Sequence, residues 1–542
     1  MQNRRSSRSL FVLVLVAGIA AITGFWYFAS AAGNDPGPEF GGEYVEGLTG
    51  APIRVNPLFA PQNDADQTLT ALVFAGLTRL DDRGAPYPDL ASTWSVSPDG
   101  LTYVFTLRSG LVWQDGTPLT AADIVFTYEL LRDRGLRAAP ALATHLRDAD
   151  VTAPDPSTIL IQLAEPYAPL PAYLTLGILP SHLLIGQTVA QIADSFFNQQ
   201  PVGSGPYRLA SLTPGEAMLA ANPTYHLQKP FIENLRLRFY RDDGELLSAL
   251  QAGDIQGALF RSVIGERDFL TLERDDDLRV TTLATGSVAS VYFNLDTPLF
   301  QDRRIRQALL YGLDRETMLG DLVEGQAAVA QSPIVPGSWA YAPALERYDP
   351  DDKQAGLLLD DAGWRIGGDG VRRKDGQPLT FAITTTPDPG NFAAAQAVAA
   401  EWNELGAQVH IVSIGTTTLV RDLLDARQYE ALLLTQSPAA DPDPFAQWHS
   451  PSVENPEANL SGLSDRRVDV LLDEGRAASY PRRKELYESF QELFAQEVPA
   501  IPLYASTAYY VQSSTVQGVR AGLLTQPGDR FWQVQEWFLE GH

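Results

Sequence analysis

The chain has 542 residues, of which 45% are hydrophobic and none is cysteine, and its formal net charge is -26. This length exceeds one ordinary hydrophobic core, so two or three domains are expected, and the acidic excess excludes a nucleic-acid-binding surface and a polybasic membrane-binding face. The absence of cysteine excludes disulfides, thiol catalysis, cysteine metal sites and a lipid-modified cysteine anchor.

The N-terminal segment predicts export across a membrane. A basic stretch precedes an apolar run from Leu10 to Ala32, which is long enough to span a bilayer. The run ends near Ala29-Ser30-Ala31, which is typical of a signal-peptidase site. Residues 1–32 are therefore either a signal peptide or an N-terminal membrane anchor, and the length of the run favours the anchor. The Gly- and Pro-rich residues 33–42 predict a flexible tether.

The first folded elements are a strand and a helix. Glu43 to Val45 predicts a strand, and Glu46 to Gly50 predicts a turn-rich connection after it. A helical pattern follows from about Asp66 to Phe74.

Residues 86–131 predict two strands and a capped helix. Alternating apolar residues over Leu101–Arg108 indicate a strand with one buried side, and Leu111–Gln114 indicates a partner strand across a Ser-Gly turn. Thr120 and Asp123 have the spacing of a capping box ahead of an apolar helix. Nothing in this stretch is chemically reactive, and we expect it to bind no ligand.

The middle of the chain alternates strands, loops and one short helix. The Gly- and Pro-rich loop Pro201–Tyr207 lacks the spacing of a phosphate-binding loop and indicates a turn between domains. Two strands, Leu278–Thr282 and Ser290–Asn294, flank Gly286 and indicate a crossing between two lobes. Further predicted elements are the strands 158–163 and 234–240 and the helix 245–251.

The C-terminal half contains an α/β crossover. Strand 379–384, helix 392–405 and strand 409–414 follow one another, an order typical of parallel strands. An apolar strand over 430–435 follows. The remaining predicted elements are helices 302–313, 353–362, 418–426, 466–477 and 482–496 and a strand region over 501–510.

The sequence contains no motif of a catalytic or metal site. None of the six His has a second His at ligand spacing, and no nucleophile elbow occurs. Asp441-Pro442-Asp443 is a carboxylate pair, but sequence gives no spatial separation that would support glycoside cleavage. We therefore expect no enzyme activity, no metal and no cofactor.

The loop 436–450 is the best candidate for a binding site. It follows a buried strand, where α/β domains place their ligands. Asp441 and Asp443 offer carboxylates to an ammonium group, and Trp448 offers a ring face to a cation or another ring. An Asp-Pro turn with a core Trp explains the same residues equally well.

Several blocks resemble family 5 extracellular solute-binding proteins, which are the oligopeptide- and dipeptide-binding receptors of ABC importers. The longest is DLASTWSVSPDGLTYVFTLRSGLVWQDGTPLTAADIVFT at 89–127. Their order and spacing carry the resemblance more than any one block does. The other blocks are Glu46-Gly47 with Asn56-Pro57-Leu58-Phe59, and the stretches 178–184, 201–209, 222–240, 291–319, 333–341 and 458–474.

The resemblance implies an α/β fold of the two-lobed periplasmic-binding-protein type (class II) with an extra subdomain, and with mixed sheets flanked by helices. Lobe II is expected over 286–504 and the accessory subdomain of lobe I over 61–199. Lobe I itself is expected to combine 43–60, 200–285 and 505–542. The loop at 441–443 resembles the segment whose Asp takes a peptide's amino terminus, which makes Asp441 the first candidate and Asp443 the second.

The resemblance also implies that Glu46, Gly47 and Leu48 belong to a strand that pairs with the ligand. The expected function is an extracytoplasmic receptor that closes over a peptide and delivers it to a membrane permease with a separate ATPase. It is expected to be a monomer, held at the membrane if the N-terminal helix is uncleaved. The alternatives are a non-peptide solute such as an opine or oligosaccharide, an exported sensory or scaffold protein, and an exported hydrolase.

Overall fold

One long mixed sheet runs through both halves of the molecule. The computed structural model describes most of the chain from residue 38 to residue 540. The predicted N-terminal membrane segment lies outside the described residues. None of the helices in these parts is long and apolar enough to cross a membrane. The described residues are 38–60, 63–133, 135–136, 140–262, 264–323, 327–345, 348–424, 427–436, 439–450 and 459–540.

The strands belong to one large sheet and several small ones. In chain order they are β1 (Gly41–Thr49), β2 (Thr78–Leu80), β3 (Pro86–Pro88), β4 (Ala91–Val96), β5 (Thr102–Leu107), β6 (Asp150–Asp155), β7 (Thr158–Gln162), β8 (Tyr207–Leu212), β9 (Glu216–Ala221), β10 (Ile232–Tyr240), β11 (Gly257–Phe260), β12 (Leu278–Phe293), β13 (Ala327–Val329), β14 (Arg365–Ile366), β15 (Arg372–Lys374), β16 (Gln377–Pro378), β17 (Thr380–Thr385), β18 (Gln408–Ser413), β19 (Ala431–Gln436), β20 (Ala500–Ser513), β21 (Val516–Gln517) and β22 (Phe538–Leu539).

Helices cover the faces of the sheets. The α-helices are Asp64–Val73, Ala121–Leu130, Pro140–Arg147, Leu170–Tyr173, Ser181–Leu184, Val189–Ala193, Asp243–Gln251, Glu266–Glu273, Pro298–Gln301, Arg303–Tyr311, Arg315–Val323, Asp352–Asp361, Pro389–Glu404, Thr416–Thr418, Phe445–Trp448, Arg466–Ala477 and Tyr480–Glu497. Short 3-10 turns lie at Phe196–Asn198, Pro527–Phe531 and Val534–Glu536, and a π-helical turn lies at Leu419–Leu424.

The large sheet has two halves that share two long strands. Its order is β18-β17-β19-β12-β20-β11-β1-β10-β9-β8, with β13 against β20. The strands β12 and β20 pair antiparallel along most of their length, from Leu278 with Ser513 to Tyr292 with Ala500. We call the half with β1 and β8–β11 the first lobe and the half with β17–β19 the second lobe, so that both lobes hang on the same pair of crossing strands.

The strands β12 and β20 lie between the two halves of the sheet, and the strands around Gly286 differ from the prediction. The two strands expected around Gly286 are one continuous strand, β12, with a register shift against β20 between Ala284 and Val288. Gly286 has φ +74, a left-handed conformation that suits glycine and lets the strand bend without ending.

A separate four-stranded sheet, β4-β5-β7-β6, packs against the first lobe and shares its core. The predicted β5 and β7 are confirmed, and so is the capping box, in which the Thr120 backbone N–H donates to Asp123 Oδ2 at 2.9 Å. The expected partner strand at Leu111–Gln114 is wrong: only Val112 forms a bridge there, because β5 is already paired by β4 and β7.

The start of the first lobe is also more regular than expected. Glu46 to Thr49 continues β1 instead of forming a turn, and β1 pairs in parallel with β10 on one edge and β11 on the other. Tyr44 and Leu48 pack into the core of the first lobe. Because a central parallel strand is buried on both faces, its mixed sequence gives little alternation to recognise.

The predicted crossover of the second lobe is confirmed. The strands β17 and β18 are parallel, and the helix Pro389–Glu404 connects them. Trp402 on this helix is fully buried and donates its indole N–H to the Leu309 carbonyl at 2.8 Å. A buried Trp contributes on the order of 3 kcal/mol through burial, which fixes the helix on the sheet.

Candidate functional site

A cavity of about 510 Å³ lies between the first lobe and a loop of the second lobe. The helix Asp64–Val73, the strand β2, the loop Tyr173–Gly177 and the C-terminal segment 525–535 form its walls. Ala439 and Ala440 of the second lobe complete it. We call this space the main cavity; its volume suits a small solute.

The C-terminal wall of the main cavity is fixed from both sides. Gly528 lies so close to the helix Asp64–Val73 that a side-chain carbon would stand 2.6 Å from Ala71 Cβ. Behind it, Arg530 Nε donates to Glu46 Oε1 of β1 at 2.8 Å, and Arg530 Nη2 forms an ion pair with the same oxygen at 2.6 Å. The wall is therefore pre-formed.

Three charged side chains line the main cavity within the described residues: Arg79, Asp89 and Asp529. Asp89 is buried, and its Oδ1 lies 2.7 Å from His226 Nε2. Burial raises the pKa of the neighbouring Tyr225 well above its usual value, and the Asp89 carboxylate adds to this. Tyr225 therefore offers a protonated hydroxyl at neutral pH.

Asp529 is held by the turn that contains it. Its Oδ2 accepts the Thr525 backbone N–H at 2.8 Å, the Thr525 hydroxyl at 2.7 Å and the Gln526 backbone N–H at 2.9 Å. Burial raises the pKa of Asp529, and these donors oppose the shift. One carboxylate oxygen thus stabilises the wall, while the side chain also faces the main cavity.

Arg79 projects from β2 into an aromatic frame. Its guanidinium carbon lies 5.2 Å from the ring centre of Tyr87 and 5.5 Å from that of Trp532. Its Nη1 donates to the Trp532 carbonyl at 2.8 Å. The cation is therefore fixed between two rings at the edge of the main cavity.

A second chamber of about 90 Å³ adjoins the main cavity. It is lined by the loop Ala439–Pro444, by Gly286 of the crossing strand and by Leu523. The two spaces share Ala439, Ala440 and Thr525 as lining residues. The predicted binding loop therefore forms the floor between them.

Asp441 lines this second chamber, but both its oxygens bind an arginine. Arg483 Nη1 lies 3.0 Å from Oδ2 and Nη2 lies 2.5 Å from Oδ1, and both side chains are almost fully buried. Burial raises the pKa of Asp441, against the charge of Arg483. Burial lowers the pKa of Arg483, but the Asp441 carboxylate more than offsets this and leaves it raised. The bidentate geometry favours the charged pair.

Asp443 also lines the second chamber and joins the same network. Its Oδ1 accepts the Tyr487 hydroxyl at 3.0 Å, and its Oδ2 accepts Arg476 Nε at 3.0 Å. Trp448 is buried, stacks on Tyr292 with ring centres 5.8 Å apart and lines neither cavity. The structure thus brings Asp441 and Asp443 together and places Trp448 in the core of the second lobe.

Glu46, Gly47 and Leu48 lie away from both cavities. Glu46 is fully buried, and a side-chain carbon at Gly47 would stand 2.4 Å from Leu246. Since β1 is paired on both edges at Glu46 and Gly47, a ligand strand finds no free edge there in this conformation. Glu46 reaches the main cavity only indirectly, through Arg530.

Sequence reasoning missed the residues that line the main cavity. Asp89 lines the main cavity although it belongs to the stretch that was expected to bind no ligand, and that expectation stays a prediction. Arg79 and Asp529 sit in ordinary strand and turn patterns. The tail PGDRFWQVQEW at 527–537 did carry a signal, because it concentrates aromatic and charged residues in a segment with no predicted element.

The described parts of the chain contain no group of three or more His, Asp or Glu side chains that could hold a metal ion.

Comparison with known proteins gives consistent matches along the chain. Residues 85–456 match the family described as bacterial extracellular solute-binding proteins, family 5 Middle. The oligopeptide-binding protein AppA of Bacillus subtilis is 25% identical and covers 99% of this chain and 100% of its own. Protein XP55 of Streptomyces lividans is 30% identical over 90% of this chain and 89% of its own.

Solved structures show the same fold. HbpA2 from Haemophilus parasuis superimposes with a TM-score of 0.79 at 23% identity, over 92% of this chain and 100% of its own. NikZ from Campylobacter jejuni, solved with Ni(L-His), gives a TM-score of 0.67 at 28% identity, over 92% and 99% of the two chains. The predicted α/β periplasmic-binding-protein fold with mixed sheets is therefore confirmed.

Proposed function

This chain belongs to the bacterial extracellular solute-binding proteins of family 5, and we propose that it captures oligopeptides or dipeptides for an ABC importer. Proteins of this family are extracellular or periplasmic, serve ABC importers and are not enzymes. The main cavity carries the proposal, because it is enclosed by the first lobe and capped by two residues of the second. A solute held there touches both lobes.

The lining of the main cavity suits a peptide. Asp89, Asp529 and Arg79 offer charges of both signs, and Tyr173, Phe531 and Trp532 offer apolar faces. An amphipathic solute with a charged group at each end matches such a lining better than a neutral sugar, which carries no charged group. The relative AppA from Bacillus subtilis is named an oligopeptide-binding protein, which supports the same class of solute.

We infer that binding is coupled to closure of the lobes. Across the cleft, the Ala168 backbone N–H donates to the Arg476 carbonyl at 2.7 Å, and the Trp339 backbone N–H donates to the Arg83 carbonyl at 3.0 Å. The solute would enter with these contacts broken and be buried as they form. The lobes that move would be those predicted from the sequence, with 286–504 as lobe II.

The closed receptor would then dock as a monomer on a membrane permease driven by a separate ATPase. We propose that residues 1–32 hold it at the outer face of the membrane as an uncleaved anchor. N-terminal sequencing of membrane fractions tests this: a mature chain beginning near residue 32 would show cleavage.

The solute is tested on the full-length chain in detergent micelles by thermal shift with di- to hexapeptides, sugars and opines. We expect a peptide to raise Tm by several degrees and the variant Ala440→Trp, which fills the boundary of both cavities, to abolish the shift. Ala400→Trp, on an exposed helix face of the second lobe, is the matched control. A Tm shift with sugars or opines but with no peptide would refute the peptide proposal and would still support the function as a solute receptor.

The expected role of Asp441 as the partner of a peptide's amino terminus stays a prediction. It requires the solute to reach the second chamber and to share a carboxylate that Arg483 already binds twice.

A further inference from the structure

Asp529 has one carboxylate oxygen that the protein leaves free. Its Oδ2 accepts three hydrogen bonds from Thr525 and Gln526, whereas its Oδ1 has no hydrogen-bond partner among the described residues. Asp529 is partly exposed, and Oδ1 is not one of the enclosed polar atoms that lack a partner, so this oxygen keeps accessible surface. One oxygen of the carboxylate therefore belongs to the turn, and the other can be reached by a solute.

The accessible surface of Asp529 faces the main cavity. The residue lines this space together with its neighbours Gly528 and Phe531, and it does not line the second chamber. Burial is the largest cause of the raised pKa of Asp529, and contact of the carboxylate with bulk solvent would remove this cause. A carboxylate that is desolvated and still accessible lies at an enclosed space, which here is the main cavity.

No cation of the described residues forms an ion pair with Asp529. Its neighbour in the chain, Arg530, is paired with Glu46 instead. Arg79, which lines the same cavity, donates to a backbone carbonyl. A desolvated carboxylate without an ionic partner is unfavourable in the empty cavity, and a cation supplied by the solute would relieve this.

The geometry of Asp529 suits an ammonium group better than a guanidinium. The three donors to Oδ2 fix the carboxylate before a solute arrives, so little side-chain entropy is lost on binding. A guanidinium gains most from binding both oxygens of a carboxylate, and only one oxygen is open here. An ammonium is a compact charge that needs a single acceptor.

We propose that Asp529 Oδ1 binds an ammonium group of the solute, so that the receptor selects solutes with a free amine. This rests on the proposed function, because the solute must occupy the main cavity. In a peptide the ammonium is either the amino terminus or the side chain of a lysine. Asp441 differs in this respect, because Arg483 already binds both of its oxygens.

The test measures binding of alanine peptides of two to six residues by calorimetry on the full-length chain in detergent micelles. Each peptide is offered with a free and with an acetylated amino terminus, and two further acetylated sets carry one Lys or one Arg. We expect acetylation to weaken binding to the unmodified chain by about 10- to 100-fold, as expected for the loss of a hydrogen bond between charged groups. Recovery with Lys would extend the site to side-chain ammonium groups, and its absence would restrict the site to the amino terminus.

Asp529→Asn separates the cavity from the turn. The amide oxygen can still accept the three hydrogen bonds of the turn, whereas the amide nitrogen replaces the free oxygen and donates. This variant should weaken binding of the free amine by the same factor and make binding indifferent to acetylation. Asp314→Asn is the matched control, because Asp314 also accepts a Thr hydroxyl (2.7 Å) and a backbone N–H (3.0 Å) but lines neither cavity.

A second pair of variants covers the case in which Asp529→Asn folds poorly. Asp529→Glu and Asp529→Gln have side chains of equal shape, and both residues are common at this position of a capping box. The Glu variant should keep the preference for the free amine, and the Gln variant should lose it. This difference reports the charge at the cavity, since the turn is altered equally in both.

Three results would overturn the proposal: equal binding of free and acetylated peptides by the unmodified chain, an undiminished acetylation penalty in the neutral Asp529 variants, or better recovery with Arg than with Lys. If no peptide binds in any form, the proposed peptide function has failed, and spermidine and its acetylated derivative take the place of the peptides. Binding of spermidine that Asp529→Asn abolishes would then support the site, and binding of neither amine nor derivative would refute it as well.

Discussion

Two buried carboxylate–guanidinium pairs, Glu46–Arg530 and Asp441–Arg483, look alike locally but sit differently in the fold. Each acid is fully buried, binds both of its oxygens to donors and lies beside tyrosine hydroxyls. Glu46 accepts Tyr44 and Tyr510 at 3.0 and 2.8 Å, whereas the second pair has Tyr487 at 3.1 Å from Arg483 Nη2.

The difference lies in what surrounds them. Glu46–Arg530 joins β1 to the C-terminal segment, and both partners belong to the first lobe. Asp441–Arg483 belongs to the second lobe, but its charges reach Tyr103 of the first lobe, whose pKa burial raises to about 12 with Asp441 adding to the rise and Arg483 opposing it. The proposed opening of the lobes would expose the second pair to a new environment and leave the first unchanged. The first pair holds two segments of one lobe together, and the second lies at the boundary that the proposed closure would change.

The largest effect is expected from Glu46→Gln. Removing one charge of a buried pair leaves the other uncompensated, so we expect the free energy of unfolding to fall by about 3–5 kcal/mol. Urea denaturation followed by circular dichroism measures it. Glu43→Gln on the same strand is the control, because Glu43 forms a partly exposed ion pair with Arg236 and should cost less than about 1 kcal/mol. Equal losses of unfolding free energy in the two variants would show that the buried Glu46–Arg530 pair contributes no special stability.

Asp441→Asn should lower the free energy of unfolding by less, about 2 kcal/mol. In the proposed open form water can hydrate Arg483, which relieves part of the penalty for leaving its charge unpaired. The variant also tests the predicted ammonium site. If Asp441 binds the amino terminus, the loss of affinity appears with free peptides and is absent with N-acetylated ones. If the residue only supports closure, both peptides lose affinity equally. Asp369→Asn, in an exposed pair of the second lobe, should change neither measurement.

The two pairs also show how far sequence reasoning reaches. The fold was predictable because strand alternation at β5 and β7, the capping box at Thr120 and the crossover at β17 and β18 are local patterns that the structure repeats. The loop with Asp441 and Asp443 was predictable because it follows the strand β19, at which a cavity is expected.

The sequence did not predict which arginine forms an ion pair with which buried carboxylate. Arg483 lies 42 residues after Asp441 and Arg530 lies 484 after Glu46, and no local pattern joins groups so far apart. For the same reason the main cavity was missed, because Arg79 and Asp89 of the β2–β3 hairpin share a cavity wall with Asp529 only through the packing of two segments far apart in the chain. Trp448 shows the converse: its sequence context suited a ligand and a core position equally, and burial against Tyr292 and Phe494 decides for the core in this conformation.

A smaller effect is expected from Arg476→Ala, which acts on the boundary between the lobes. The Arg476 guanidinium lies 3.7 Å from the ring centre of Phe445 in its own lobe and 5.5 Å from that of Tyr167 in the first lobe. Losing this contact should weaken closure by about 1 kcal/mol, and solute release should become several-fold faster in stopped-flow measurements. Arg482→Ala, an exposed neighbour paired with Glu485, should leave release unchanged. A loss of unfolding stability without faster release would assign Arg476 to the second lobe alone.

The smallest effect is a pH dependence at the same boundary. His145 of the first lobe stacks on Tyr167 with ring centres 3.5 Å apart. Burial, together with the nearby Arg476 cation, lowers the pKa of His145 to about 4, and Asp443 opposes the shift. In water the pKa of histidine is about 6.5, so a proposed open form in which His145 is hydrated would bind more protons than the closed form between these values. His145 therefore supports closure fully above about pH 6.5 and progressively less as the pH falls towards about 4.

Acidification from pH 7 to pH 5 should accordingly speed solute release and enlarge the radius of gyration measured by small-angle X-ray scattering. His145→Gln cannot take up the proton and should flatten this response, whereas His182→Gln, next to Asp115 on the outer side of the same subdomain, should retain it. A response that persists in His145→Gln would show that another titrating group causes the pH dependence. A response lost in both His145→Gln and Arg476→Ala would place the pH sensitivity in the contact that these two side chains form around Tyr167. The boundary between the lobes, and not the buried Glu46–Arg530 pair, would then be the pH-sensitive part of the receptor.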